Sequence, residues 1–482
     1  TGDFSTVGTI YHDAKSKGWI DTNLTKLDAL PALQQIFGLM KMSGKVWVID
    51  REAFKRNAKN LELFNHQDGG LLISRKAREL FGDIEIKGLS SAFFISERTI
   101  CYEGVEFNPL TTTDGYLNLW VGPTLSAKKG GWKGIEVFLR DIICNGDEES
   151  YHYLIRYIAH AIQKPEEKPG VMLILLGGQG IGKGTLGRIF QMIWDMSYLQ
   201  VHSVDAITGN FNAALERSFI VFMDEALFSG DRRAADALKS LITEPTIYIN
   251  EKHQPARQMA SYHRFIAATN ADHFKNTEND DRRDFVLRVS DERKNDAKYW
   301  KELYQEMDNG GVAAMLHELH NMDLTDFNVR VKPTTHALIE QKIMSLDHTK
   351  RWWYECLDRG FVVEKEGFHS GVSDKGNLWP DFISTEDAIA DIKEVSGGRM
   401  FKVPIARDIQ QAFVKMCPGA IQRQRLVGNS RKRGLALPEL EQSRTEFEHY
   451  LGGDITWSTN EEFEEKQTVA VEDDEWSAGV SK

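Results

Sequence analysis

The chain has 482 residues, of which 41% are hydrophobic and 27% are charged, an ordinary composition for folded domains. At the usual domain size this length corresponds to about three domains. The net charge of −12 argues against a uniformly basic nucleic-acid binder, and four widely separated cysteines argue against a structural zinc site or a disulfide framework. No apolar run is long enough to cross a bilayer, so we predict no membrane partner and a cytoplasmic location.

The first part of the chain, residues 1–110, mixes short helical and strand patterns and predicts an α+β region. The strongest strand patterns are VWVID (46–50) and SAFFIS (91–96). We find no pair of acidic residues with a nearby histidine that could hold the metals of a primer-synthesising polymerase. The chain begins with Thr1 rather than Met, so we expect a processed product or a part of something longer.

Residues 111–168 predict a connector followed by a helical pair. A basic, glycine-rich segment, SAKKGGWKG, precedes two stretches with apolar residues at three- and four-residue spacing. Pro165 ends the second stretch. His152 and His160 lie on this second helix, and we interpret them as surface or packing residues because no other metal-ligand residues accompany them.

The segment LILLGGQGIGKGTLGRIF (173–190) has the order apolar strand, glycine-rich turn, helix. Glycines let the backbone of such a turn wrap around a phosphate, while exposed N–H groups and the helix N-terminus supply partial positive charge. Lys183 can reach the outer phosphates of a nucleotide. The predicted nucleotide-binding residues are Gly177, Gly178, Gln179, Gly180, Ile181, Gly182, Lys183, Gly184 and Thr185.

One position departs from the strict phosphate-loop pattern. A serine or threonine normally follows the lysine directly and holds Mg²⁺, whereas Gly184 stands there and Thr185 comes one residue later. We therefore predict ATP and Mg²⁺ as cofactors and Thr185 as the magnesium hydroxyl. The alternative is a glycine-rich turn that contains a lysine without binding a phosphate.

A second buried-strand pattern ends in two carboxylates. The apolar run 219–223 is followed by Asp224 and Glu225. An ATP hydrolase needs a carboxylate for Mg²⁺ and a base that activates water. We therefore predict Asp224 as a magnesium ligand and Glu225 as the catalytic base.

A strand–turn–strand pattern follows over residues 246–260, with Lys252 and His253 at its tip. On the residues alone, a lysine at a hairpin tip is more often a solvated surface charge than a binding residue.

The next apolar strand, RFIAATN, ends in Asn270, whose amide could sense a γ-phosphate or the attacking water. Arg282 and Arg283 then precede another strand pattern. In a ring ATPase, an arginine presented to the neighbouring subunit's nucleotide is expected at this place. Adjacent arginines after an acidic loop can also be ordinary surface ion pairs.

These elements in this order resemble the superfamily 3 helicases, the AAA+ ring motors of small viruses, phages and plasmids. More narrowly, several segments are similar to the helicase module of phage and plasmid primase-helicases. They are NLWVGP, ICNGDEE, IAHAIQKPEEKPG, GGQGIGKGT, FNAAL, DEALFSGD, LKSLITEP and DRRDF. The resemblance is strongest over residues 102–289 and continues more weakly to 456. It implies an α/β fold with an AAA+ P-loop ATPase core, which we assign to residues 169–295.

The resemblance implies a homohexameric ring that hydrolyses ATP at subunit interfaces and moves single-stranded DNA through its centre. It assigns Asn270 as the sensor and Arg282 or Arg283 as the arginine finger acting on the neighbouring subunit. In this superfamily a hairpin with a Lys-His tip faces the channel, so Lys252 and His253 become candidate DNA contacts.

Full-length relatives carry a primase-polymerase domain before this module. We therefore expect either the helicase part of a larger protein or a relative without that domain. If the protein is phage-encoded, it acts in the host cytoplasm.

Beyond the motor, residues 296–345 predict helices and residues 346–458 predict a winged-helix-like C-terminal domain, in which helices precede a basic hairpin. Gly428 and Asn429 suit the tip of that hairpin. Five cations on it are candidate DNA contacts, although a charged wing can also be a solvated face: Arg423, Arg425, Arg431, Lys432 and Arg433. Residues 459–482 lack periodicity and predict a disordered acidic tail.

Two other functions remain open on the sequence. GKGT also occurs in phosphate loops like that of adenylate kinase, so a nucleotide kinase is one alternative. Such kinases begin almost at the phosphate loop, whereas a long segment precedes Gly177 here, and a strand ending in DE favours hydrolysis. The second alternative is an ATP switch that loads or tethers a replication protein without moving along DNA.

Overall fold

The computed structural model describes residues 26–57, 59, 61–82, 88–224, 232–252, 256–270, 282–360, 379–395 and 403–458. The chain forms two compact units. The first comprises Thr1–Thr269 and Val289–Val331, and the second comprises Asn270–Arg288 and Lys332–Lys482. Among the described residues, no helix is both long and apolar enough to cross a membrane.

The first unit begins with a small α+β region. Its elements are α1 (Lys26–Ile36), β1 (Phe37–Met42), β2 (Lys45–Asp50), α2 (Arg51–Arg56), β3 (Leu63–Phe64), α3 (His66–Phe81), α4 (Leu89–Ile95), β4 (Cys101–Tyr102), β5 (Gly104–Glu106) and β6 (Tyr116–Asn118). The sheet has the order β3-β2-β1-β4, and β5 pairs with β6. Leu33, Val48, Ile73 and Phe93 form part of the core between this sheet and the helices.

The prediction of a strand over SAFFIS is wrong, because this segment forms α4. Leu89 and Phe93 lie one helical turn apart, and both are buried in the core. The end of the helix is fixed by Gln34, whose Nε2 donates to the side-chain oxygens of Ser96 and Thr99, each at 2.9 Å. Packing against α1 and α3 therefore overrides the strand preference of the two phenylalanines.

The larger part of the first unit is a parallel sheet with helices. Its elements are α5 (Lys133–Val137), a π-helical segment (Phe138–Ile143), α6 (Glu148–Gln163), β7 (Met172–Leu176), α7 (Lys183–Ile193), β8 (Tyr198–Val201), α8 (Asp205–Thr208), β9 (Ile220–Asp224), α9 (Arg232–Thr243), β10 (Thr246–Ile249), β11 (Arg257–Ala260), β12 (Arg264–Thr269), α10 (Ala297–Glu306) and α11 (Val312–His320). Within this unit, four strands run parallel in the order β7-β12-β9-β8. β7 and β12 are buried along their whole length, as expected when both faces of a sheet are covered. β10 and β11 form a separate antiparallel hairpin.

The second unit contains β13 (Asp284–Arg288), α12 (His336–Met344), α13 (His348–Arg359), β14 (Phe382–Ser384), α14 (Thr385–Val395), α15 (Ala406–Met416), β15 (Ile421–Val427), β16 (Ser430–Ala436) and α16 (Leu440–Leu451). The three C-terminal strands form an antiparallel sheet in the order β14-β16-β15. Trp352, Trp353, Phe413 and Leu435 belong to the core between this sheet and its helices. The hairpin predicted from sequence is confirmed, because Val427 pairs with Ser430 and leaves Gly428 and Asn429 at the turn.

Candidate functional site

The phosphate-loop segment lies between β7 and α7, as the sequence predicts. Gly177 and Gly182 have φ angles of 139° and 105°, which side-chain-bearing residues rarely adopt. Both positions are also crowded, since a Cβ would lie 2.5 Å from Ile181 Cδ1 at the first and 2.6 Å from Trp300 Cη2 at the second. A Cβ at Gly178, Gly180 or Gly184 would meet no atom within 4 Å. The loop is therefore closely packed at Gly177 and Gly182, whereas space beside Gly178, Gly180 and Gly184 is free for a ligand.

Lys183 is the first residue of α7 and is buried. Its ammonium group donates to the carbonyl oxygen of Gly178 at 2.5 Å and also to that of Gly177. The loop thus folds over its own lysine. These carbonyl contacts hold the cation beside the open part of the loop, where a phosphate oxygen could replace them as its partner.

The hydroxyl of Thr185 is buried and lies 2.9 Å from the hydroxyl of Tyr304 on α10. A second contact lies close to the first, because Arg188 of α7 pairs at 2.7 Å with Asp308, which follows the end of α10. Thr185 therefore joins α7 to the segment that follows the core strands. Its role as a magnesium ligand stays a prediction, and in that role Mg²⁺ would compete with Tyr304 for this hydroxyl.

Asp224 lies at the same edge of the sheet as the phosphate loop. It is the last residue of β9 and stands opposite Ala268 of β12, while the next residue of β12, Thr269, stands opposite Leu176. With β12 between them, Asp224 and Leu176 are about 10 Å apart, two strand spacings. Gln200 Nε2 donates to the Asp224 carboxylate at 3.1 Å. Glu225 lies outside the described residues.

A cleft of about 290 Å³ lies beside the loop, and the sequence did not reveal it. One wall is linked to the end of β7, directly before the loop, because Val289 N–H donates to Leu176 O at 2.9 Å. The next residue, Ser290, lines the cleft and donates its N–H at 2.8 Å to the carbonyl oxygen of Ile142, another lining residue. The lining residues combine apolar and polar side chains: Val137, Asp141, Ile142, Asn145, Gly146, Ser290, Glu292, Arg293 and Tyr299.

Tyr299 gives this cleft an unused polar group. Its hydroxyl is buried and has no hydrogen-bond partner within the described part of the chain. Burial raises the pKa of Tyr299 to about 12, so the hydroxyl remains a donor at neutral pH. Its neighbour Trp300 packs against Gly182. The sequence feature that could have indicated this cleft is a group of three aromatic residues with helical spacing after the last core strand: Tyr299, Trp300 and Tyr304.

Arg264 is a second feature that the sequence did not reveal. It is the first residue of β12 and is fully buried. Its Nη2 donates to His160 Nδ1 and to the carbonyl of Lys164, both at 3.1 Å. Burial lowers the pKa of Arg264 to about 10 and that of His160 to about 4. The packing role predicted for His160 is confirmed, and the cluster lies at the edge of the sheet opposite the phosphate loop.

The hairpin of β10 and β11 carries the predicted DNA contacts. Lys252 is exposed in the turn after β10, and His253 lies outside the described residues. Tyr248 on β10 is 66% exposed. Asn212 holds this strand from the side, because its Nδ2 donates to Tyr248 O at 2.9 Å and its Oδ1 accepts from Asn250 N–H at 2.8 Å. The exposed side chains of Tyr248 and Lys252 therefore lie on a hairpin that Asn212 stabilises.

The proposed sensor and finger residues belong to the second unit. Asn270 directly follows β12 and is exposed. Arg282 is exposed and Arg283 is half-buried, and both directly precede β13. Their roles in the reaction stay predictions.

The five cations of the C-terminal hairpin do not have equal surroundings. Arg425 pairs with Asp381 at 2.5 Å, and Lys432 pairs with Asp387 at 3.3 Å. Within the described part of the chain, the remaining three have no ion pair: Arg423, Arg431 and Arg433.

Comparisons with known proteins show which proteins have a similar sequence. A family model described as a family of unknown function (DUF5906) matches residues 175–283, which include the phosphate loop. Over 270 residues the chain is 27% identical to the DNA primase-polymerase of Nitratiruptor phage NrS-1. This chain is similar to part of a phage primase-polymerase. The match covers 52% of this chain and 37% of the phage protein, so the chain spans little more than a third of that relative.

Solved structures of the C-terminal region of NrS-1 have a similar fold. Two apo structures each superpose with a TM-score of 0.61 and cover 86% of this chain. The matches include 99% and 100% of those chains, at sequence identities of 15% and 16%. At these identities the match shows a shared fold over nearly the whole C-terminal region of NrS-1.

Proposed function

We propose that this chain is the motor part of a phage or plasmid DNA replication protein. It is an ATP-dependent helicase or translocase with the AAA+ P-loop core of superfamily 3, and it acts as a homohexameric ring on single-stranded DNA. The observation that carries the proposal is the shared sheet edge, where the glycine loop with Lys183 and the carboxylate of Asp224 lie on either side of β12. Positioned backbone N–H groups, a lysine and a carboxylate are what phosphoryl transfer requires.

In this proposal the triphosphate of ATP lies against the open glycines and Lys183. Asp224 and the hydroxyl of Thr185 would hold Mg²⁺, which in such sites usually takes few protein ligands. The bound ion would neutralise charge on the phosphates. Glu225 activates water and Asn270 senses the γ-phosphate.

The cleft beside the loop is the proposed site for the base of the nucleotide. Val137 and Ile142 offer an apolar wall, while Asp141 and the Tyr299 hydroxyl offer an acceptor and a donor. Polar groups beside an apolar wall can fix the orientation of a bound ligand. The hydrogen bond between Val289 and Leu176 links the segment that enters this pocket to the end of β7, directly before the phosphate loop.

The DNA path is proposed to run along the hairpin of β10 and β11. Lys252 and His253 contact the phosphate backbone, and the exposed ring of Tyr248 offers a stacking surface for an unpaired base. Arg282 or Arg283 acts on the nucleotide of the neighbouring subunit. Homology to part of a primase-polymerase supports a role in DNA replication and a primase-polymerase domain or protein as partner.

Phosphate release, measured with and without single-stranded DNA, tests this function. We expect hydrolysis that DNA stimulates and that Lys183→Ala abolishes. Lys298→Ala is the matched control, because the Lys298 side chain is 85% exposed on α10. Normal turnover in Lys183→Ala would refute the proposal. Transfer of phosphate to a nucleoside monophosphate would establish the kinase alternative, and turnover without any response to DNA would favour the ATP switch.

A further inference from the structure

Residues 403–436 carry a net positive charge, although the chain as a whole is acidic. This stretch contains seven lysine and arginine residues and one acidic residue, Asp408, whereas the whole chain has a net charge of −12. It comprises α15 and the hairpin of β15 and β16. A local excess of cations on one helix and one hairpin is the electrostatic footprint of a nucleic-acid surface.

The strand register divides the hairpin into two faces. Residues that stand directly opposite each other in an antiparallel pair point to the same side of the sheet. Arg425 stands opposite Lys432, and both are neutralised by acidic residues. Arg433 stands opposite Gln424 and Arg431 opposite Leu426, which places both arginines on the other face. This second face has no ion pair among the residues that the structure describes.

The face of Arg431 and Arg433 is the side of β16 that turns toward the core of the second unit at the end of the strand. It continues along β16 to Leu435, which is buried in the same core as Ile409 and Phe413 of α15. The opposite, exposed side of α15 presents polar residues four positions apart. They are Arg407, Gln411 and Lys415, each exposed and without a hydrogen bond or ion pair in the described structure.

We propose that α15 and the Arg431/Arg433 face of the hairpin form a binding surface for duplex DNA. The major groove of B-DNA admits an α-helix, whose cations would reach phosphates while the amide of Gln411 reaches a base edge. Arg431 and Arg433 neutralise phosphates beside the groove. No exposed aromatic residue lies between residues 403 and 436, so this surface lacks the stacking platform typical of single-strand binding.

This surface is distinct from the proposed single-strand path at Lys252 and does not depend on nucleotide hydrolysis. A replication motor must act at a junction where a duplex becomes single strands. A duplex site in the second unit and a single-strand site in the first give one chain a contact to each form of DNA.

Fluorescence anisotropy of the full chain, without nucleotide, tests this inference. The probes are a labelled short duplex and one of its single strands. We expect Arg431→Ala combined with Arg433→Ala to weaken duplex binding about tenfold at low salt. The slope of log affinity against log salt should become shallower by about two, roughly one for each lost phosphate contact.

The sequence predicts Arg423 as a DNA contact as well, but the strand register places it outside the proposed face, so Arg423→Ala is the matched control. It removes the same charge from an exposed, unpaired arginine of the same hairpin, but by register Arg423 lies on the opposite face. We expect this variant to bind the duplex like wild type, and Arg433→Lys to retain most of the affinity. Thermal unfolding of each variant checks that the domain remains folded.

Two results would overturn the proposal. One is an equal loss of duplex affinity in Arg423→Ala and Arg433→Ala, which would mean that only total charge matters. The other is unchanged duplex binding in the Arg431/Arg433 double variant. Loss of ATP turnover with intact duplex binding would instead refute the motor function and leave this surface in place.

Discussion

Gly182→Ala adds a methyl group where the phosphate loop has no room for one. The new Cβ would lie 2.6 Å from Trp300 Cη2 and 2.9 Å from Phe138 Cε2, two rings that pack against each other. The φ angle of 105° adds backbone strain. Overpacking costs about 1–3 kcal/mol and such a backbone conformation about 1–3 kcal/mol, so we expect a loss of about 2–6 kcal/mol in the free energy of unfolding.

Gly184→Ala is the control for this change, since it lies two residues away in the same loop–helix junction. A Cβ there would meet nothing within 4 Å, and Gly184 lies within the helix. Alanine in place of glycine at a helical position should stabilise by about 0.5–1 kcal/mol. Chemical unfolding followed by circular dichroism measures both variants.

The same two variants also separate stability from binding. We expect Gly182→Ala to weaken ATP binding as well, because the displaced Trp300 and Phe138 adjoin the cleft residues Tyr299 and Val137 in sequence. The reasoning fails if Gly182→Ala unfolds at the same denaturant concentration as wild type. It also fails if Gly184→Ala destabilises the protein as strongly as Gly182→Ala does.

Three further substitutions test individual roles. Thr185→Val should weaken Mg²⁺-dependent ATP binding. The variant also loses the hydrogen bond to Tyr304, which should lower the free energy of unfolding by about 1 kcal/mol. If stability falls by this amount while the response of ATP binding to Mg²⁺ is unchanged, the role of Thr185 is purely structural. Lys252→Ala should leave basal ATP hydrolysis intact and impair unwinding, and unchanged unwinding would make this lysine a solvated charge. Arg283→Ala subunits mixed with wild type should reduce turnover more than dilution predicts, whereas a proportional loss would argue against a site shared between subunits.

The sequence predicted those parts of the site whose structure is determined by residues close together in the chain. The strand before the phosphate loop is an unbroken apolar run because it is buried on both faces, and the glycines mark a turn that only they can form. The strand that ends at Asp224 has the same local pattern. Parallel strands also bring their carboxyl ends to one edge, so the proximity of this carboxylate to the loop follows from the strand patterns alone.

The features that the sequence could not predict depend on contacts between distant residues. Thr185 and Tyr304 are separated by 119 positions, and the sequence around either residue does not predict their hydrogen bond. The SAFFIS segment became a helix because of its packing, not its composition. The basic hairpin shows the same limit, since a run of cations in sequence does not reveal that Arg425 and Lys432 are neutralised while Arg431 is not.

The contacts of α10 give the phosphate loop a physical link to the cleft. Trp300 packs against Gly182, Tyr304 bonds to Thr185, and Tyr299 lines the cleft from the same helix. We expect a phosphate that draws Lys183 away from its carbonyl partners to shift the loop against α10, which carries one wall of the cleft. Because packed interiors respond to displacement as connected units, binding at the loop and binding in the cleft should be energetically coupled.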